Sequence, residues 1–128
     1  MRKSRTDILE YNRKLEVINN LACELWDYYI EVYPELITYD APIIEFNNRF
    51  TATAGMCYWH ENRIELGYKF FNRNSDAMLK EILPHELAHQ IDYNLNGPSS
   101  ENSGHGETWA NIMENIGLPA KRFHQLRV

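Results

Sequence analysis

Two cysteines, Cys23 and Cys57, are all that the 128 residues contain. They build no disulfide framework, and without a Cys-x-x-Cys pair they hold no structural zinc of the cysteine type. A reduced, cytoplasmic setting is the expectation. Long apolar runs are missing as well, since no stretch approaches the ~18 residues of a membrane span. Met1-Arg2-Lys3-Ser4-Arg5 is basic, but Asp7, Glu10, Arg13 and Lys14 interrupt any apolar segment behind it, which speaks against a secretory signal. Positive charge is in deficit: the net charge of −5 argues against a general nucleic-acid binder. Repeats and low-complexity segments are also lacking. What is present is an ordinary globular composition, 44% apolar and 24% charged, in a length that suits one domain over residues 1–128.

The charge is unevenly spread. Residues 1–14 and 121–128 each carry +3, which leaves −11 for the stretch between them. Basic ends of this kind are commonly solvated tails. If Arg2, Lys3, Arg5, Lys121 and Arg122 met on one face, they would form a modest phosphate-binding patch. The expectation is weak or partner-assisted association with DNA.

The centre of the sequence is Leu83-Pro84-His85-Glu86-Leu87-Ala88-His89-Gln90, which holds the pattern His-Glu-x-x-His. On a helix, residues four apart share a face, so His85 and His89 can aim their imidazoles at one point. Zinc asks this of its first two ligands, and Glu86 then stands where the general base of a hydrolase is needed. A third ligand is required. His105, inside Ser103-Gly104-His105-Gly106-Glu107, is favoured because imidazole suits zinc and the flanking glycines allow close approach. Glu107 and Glu114 are the carboxylate alternatives. Between the two parts, Asn94-Leu95-Asn96-Gly97-Pro98-Ser99-Ser100 should stop the helix and let the chain double back.

These residues resemble the SprT-like zinc metallopeptidases, a family that includes the Spartan type of protease core. The resemblance rests on Ile82-Leu83-Pro84-His85-Glu86-Leu87-Ala88-His89 and on His105-Gly106-x-x-Trp109 followed by Met113. Thr53-Ala54-Gly55, Asn62-Arg63-Ile64-Glu65-Leu66 and Gly117-Leu118-Pro119-Ala120-Lys121-Arg122 extend it over roughly residues 43–126. It implies a zincin-like α+β domain that cleaves protein or peptide substrates with one Zn2+ per chain. His85, His89 and His105 would be the metal ligands and Glu86 the catalytic base. It also implies a strand bordering the cleft, where an extended peptide can add. Many such proteins carry a cysteine-rich zinc ribbon after the core; none lies within these 128 residues.

The rest of the chain can be read by periodicity. Ile8, Tyr11, Leu15, Ile18, Ala22, Leu25, Tyr29 and Val32 recur at spacings of three and four, predicting one amphipathic helix over 6–33 that starts at Thr6-Asp7 and stops at Pro34. Residues 35–74 read as a small antiparallel or mixed three-stranded sheet: Ile43–Phe46, Thr51–Trp59 and, after a turn at His60-Glu61-Asn62, Arg63–Leu66. Gly55 suggests a bulge or a close backbone approach. Cys57 is expected in the packing and His60 in solvent. Asn74-Ser75-Asp76 should cap the active-site helix, whose buried face is Met78, Leu79, Ile82, Leu83, Leu87 and Ile91. Pro84 predicts a kink just before His85. A last helix, about Gly106–Ile116, should turn Trp109, Ile112, Met113 and Ile116 inward.

Two readings of function compete at this stage. In the first, zinc activates water and Glu86 moves the proton, with an oxyanion donor among Tyr58, Tyr68, Tyr93, Arg122 and His124, and Asp92 or Glu114 orienting a ligand histidine. In the second, the metal only stabilises a small module that binds a protein or a DNA-associated partner. Glu86 favours the first, because a structural site does not need it. A zinc hydrolase acting on a non-peptide substrate would carry the same pattern.

Overall fold

The computed structural model describes residues 4–98 and 106–119. Helix α1 (Arg5–Val32) is the long N-terminal helix. Its cap is Ser4 rather than Thr6: the Ser4 hydroxyl accepts from the Asp7 N–H at 3.1 Å. Ile18, Ala22, Trp26 and Tyr29 form its buried stripe, while Ile8 at the N-terminal end is exposed. Leu25 packs half-buried against the core, Trp26 beside it is buried as well, and the Trp26 indole N–H donates to the Tyr39 carbonyl. Asn19 ties the helix to the first strand by bonding both the N–H and the carbonyl of Ile44.

The segment read as sheet is only partly sheet. Pro34–Thr38 is a short 3-10 turn. Strand β1 (Ile43–Asn47) follows, then β2 (Gly55–Tyr58), a 3-10 turn at Trp59–Glu61, and β3 (Arg63–Gly67). The predicted second strand therefore loses Trp59 to the turn and Thr51–Ala54 to irregular chain, although the Ala54 carbonyl still accepts from the Gly67 N–H. Asn62 closes the turn before β3 in the left-handed region (φ 52°), where asparagine is tolerated. The sheet is mixed, in the order β1-β3-β2: β1 runs parallel to β3, and β2 antiparallel to it. Ile64 and Leu66 face the core and Arg63 and Glu65 the other side, as their alternation predicts.

After β3 comes a helix that periodicity did not reveal, α2 (Tyr68–Arg73), with Phe70 and Phe71 buried. A continuous helical stretch then runs from α3 (Ser75–Ala77) through a π turn at Met78–Ile82 into α4 (Leu83–Asn96). Asn74 does not cap it through its side chain, which instead donates to the Phe70 carbonyl. In place of a simple proline kink, the turn before Pro84 is widened, and the Leu83 N–H reaches back to the Met78 carbonyl. Proline has no N–H to give, so the ladder is already broken there and a wider turn costs little more. Gly97, at φ 74°, ends α4. Helix α5 (Glu107–Asn115) buries Trp109, Ile112 and Met113, with Ile116 just beyond, and Gly117 at φ 86° closes it as the Leu118 N–H bonds the Met113 carbonyl. One hydrophobic core joins α1, the inner sheet face, α4 and α5. Among the described residues, no helix is long and apolar enough to cross a membrane.

Candidate active site

The site is built on the first turns of α4, where the π turn and Pro84 deliver the chain. Its side chains stand between β2 on one side and α5 on the other. His85 and His89 lie one turn apart, with ring centroids 4.9 Å from each other. Trp109, fully buried, underpins both. Its ring lies 4.7 Å from that of His85 and stacks on that of His89 at 5.2 Å and 17°. Its indole N–H also donates to the His85 carbonyl at 3.3 Å. Trp109 thus anchors the two histidines directly.

Glu86 is 7% exposed, and its carboxylate comes within 3.9 Å of His85 Nε2, beyond hydrogen-bond reach. Burial alone pushes its pKa up to about 8. Opposite it runs β2, whose Gly55 and Cys57 face the helix. Burial, and then the charge of Glu86, also raise the Cys57 thiol. Cys57 is packed, as expected, and donates to Gln90 Oε1 at 3.5 Å. Gln90 Nε2 in turn donates to the Trp59 carbonyl (3.2 Å) and to Asn94 Oδ1 (2.9 Å). Gln90, one turn after Glu86 on the same face, stitches strand to helix. Its position in the sequence is the signal that could have pointed to it.

Two nitrogen donors brought together beside a buried carboxylate are a donor set suited to zinc. His105, the favoured third ligand, lies outside the described residues. Glu107 and Glu114 are both exposed. Among the described residues, no group of three or more His, Cys, Asp or Glu side chains is placed to hold a metal ion, so neither carboxylate completes a ligand set with the histidine pair. The proposed orienting residue Asp92 is buried and accepts from Asn96 Nδ2 at 2.8 Å. Of the oxyanion candidates, the Tyr58 hydroxyl donates to Glu65 (3.2 Å), and Tyr68 packs on Tyr11 and Phe46. The Tyr93 hydroxyl sits 3.1 Å from His60 Nδ1, in a cluster with Trp59. Arg122 and His124 lie outside the described residues, as do Arg2, Lys3 and Lys121 of the suggested phosphate patch.

A family model described as SprT-like matches residues 24–125. The chain belongs to the SprT-like family. Among curated SprT-like relatives, Protein SprT of Vibrio parahaemolyticus is 37% identical over 92 residues, 71% of this chain and 53% of that protein. Protein SprT of Pseudomonas syringae is 34% identical over 92 residues, 71% of this chain and 54% of that one. Protein SprT of Escherichia coli K12 is 34% identical over 91 residues, 70% and 53%. The chain spans about half the length of the curated relatives it matches. No solved structure matches it.

Proposed function

We propose that this SprT-like chain is a zinc-dependent peptidase built on a zincin-like domain spanning residues 1–128 and acting in a reduced, cytoplasmic setting. The observation that carries the reading is Glu86: a carboxylate buried beside two histidines that share one helix face and one tryptophan support. A core carboxylate costs stability unless it is used, and nothing in a purely structural zinc site uses one.

In this reading His85, His89 and His105 hold the ion. Bound zinc supplies the acidity that makes water a nucleophile near neutral pH. Glu86, as the carboxylate that the charge of a bound cation would favour, would take a proton from the attacking water and hand it to the departing amide nitrogen. Trp109 fixes both imidazoles, so little ordering is left for the moment of reaction. The substrates are polypeptides, including proteins associated with DNA, laid along the edge of β2 that faces away from β3.

Glu86→Gln tests the reading, because glutamine keeps size and hydrogen bonding but accepts no proton. The variant should fold, keep about one zinc per chain, as the three-ligand site implies, and lose cleavage of an unfolded protein substrate. His105→Ala should release the metal, whereas Glu107→Ala should retain it. Wild-type protein that is folded and zinc-loaded, yet inert toward varied peptides and proteins with or without DNA, would return the chain to the binding-module reading.

A further inference from the structure

Strand β2 and helix α4 run along each other in matched steps. Gly55 stands against Glu86, and Cys57 and the Trp59 carbonyl against Gln90. Two strand residues advance ~6.6 Å and four helix residues ~6 Å, so the two elements stay in register over this distance. The side chains that β2 turns toward the helix are small: nothing at Gly55 and a thiol at Cys57. A methyl group added at Gly55 would meet Ile82 Cγ2 at 3.0 Å, Glu86 Cγ at 3.1 Å and Leu66 Cδ2 at 3.2 Å. All three fall inside the 3.5–4.0 Å optimum for carbon contacts.

We propose that Gly55 is the positioning residue for Glu86: its bare Cα is the wall against which the Glu86 side chain rests, and it sets where the carboxylate points. The inference rests on the peptidase reading for its catalytic meaning and on the packing for its physical content. Of the three neighbours, Ile82 is β-branched and stiff, and sits in the π turn. Leu66 is fully enclosed. Glu86 is unbranched and has three rotatable side-chain bonds, one more than Ile82 or Leu66. A methyl at residue 55 therefore relaxes mainly by turning Glu86, and the conformational freedom of glycine is not the issue. Cysteine packing at residue 57 tells the same story one step along: the seam admits only side chains that leave the helix face where it is.

The test is a double-mutant cycle of Gly55→Ala and Glu86→Ala, read in two ways. In the zinc-loaded protein, Gly55→Ala should lower kcat for a peptide substrate by about 10- to 100-fold, the scale of an ångström of misplacement. KM should stay within about threefold, since the substrate edge of β2 is unchanged, and zinc affinity should hold. In the metal-free protein, read by thermal unfolding without any activity, Gly55→Ala should lower Tm in the wild-type background and lower it clearly less when Glu86 is already alanine. If Gly55→Ala alone fails to fold, folding of the double variant carries the same information. An equal loss of Tm in both backgrounds would place the crowding on Ile82 and Leu66 and overturn the inference. Unchanged kcat in a Gly55→Ala protein would overturn it too. A wild-type chain that cleaves nothing counts against the peptidase reading alone, and the unfolding cycle then decides the contact.

Discussion

On the outward face of the sheet, Glu65 accepts from Asn47 (3.0 Å), Tyr58 (3.2 Å) and Arg63. Arg63 is itself held by Glu45 and Glu61, and its guanidinium lies 4.2 Å over the Tyr58 ring. Burial pushes the Glu65 carboxyl up, but these donors outweigh it and hold it below the ordinary carboxylate value. On the inward side, Glu86 of α4 is buried much more deeply than Glu65, no described neighbour offsets that burial, and its pKa rises to about 8. The two residues share one chemistry and differ in depth of burial and in neighbours. The outer face spends its polar groups on one another and gains rigidity. The inner seam brings one carboxyl's pKa close to neutral, the range in which a general base works.

The sharpest way to break this contrast is to remove each carboxylate in turn and measure cleavage. Glu86→Gln should cost at least about 100-fold in kcat, the usual range for a general base. Glu65→Gln should leave the rate within about twofold, since it changes only an outward ion pair. Comparable losses from both would mean that the outer face belongs to the reaction.

The next effect is on stability. Glu86 titrates at about 8 when folded without metal, against an ordinary value of 4.5. Below pH 4.5 both states hold the proton and Glu86 costs nothing. As pH rises from 4.5 to 8, the unfolded chain gives up its proton and the folded one does not, so stability falls across that window. The full loss is on the order of 5 kcal/mol. Metal-free Glu86→Gln should therefore exceed metal-free wild type in Tm at pH 8 and approach it near pH 4. A wild-type advantage at pH 8 would show that Glu86 is satisfied after all.

The smallest effect has the opposite sign. Glu65, held low when folded, contributes stability above the ordinary carboxylate pKa that is lost as pH falls through its folded value. Glu65→Gln should lower stability at pH 7 by about 1 kcal/mol or less, because its partners are partly solvated. The difference should vanish in acid.

Much of the architecture could be read from spacing. The stripe from Ile18 to Tyr29, the alternation of Ile64 and Leu66, and the inward row Trp109, Ile112, Met113 all stand where the hydrophobic period puts them. What escaped were segments whose form is decided by neighbours. Thr51–Ala54 has strand-forming composition but leaves the sheet before β2. Tyr68–Arg73 is too short for its helical period to show, and it is held by Phe70 and Phe71 in the core. At the site, the pairing of His85 with His89 and the burial of Trp109 follow from helix geometry and composition. The unlinked partners do not: Gly55 lies 31 residues from Glu86 and Cys57 lies 33 from Gln90. Only the gap where a side chain is missing hinted that something else comes close.

The π turn at Met78–Ile82 makes residue count matter in a way that composition does not. A wide turn takes one residue more than an α turn, and one residue is about 100° of rotation on a helix. Deleting one residue there would leave a helix with better hydrogen bonds and the wrong phase. With Ser75–Ala77 kept in its seat, His85, Glu86 and His89 would swing a quarter-turn or more away from β2 and Trp109. With α4 kept in its seat, the strain would pass upstream to α2 and the end of β3. The extra residue thus acts as a spacer that converts the packing of one half of the helical stretch into the aim of the other.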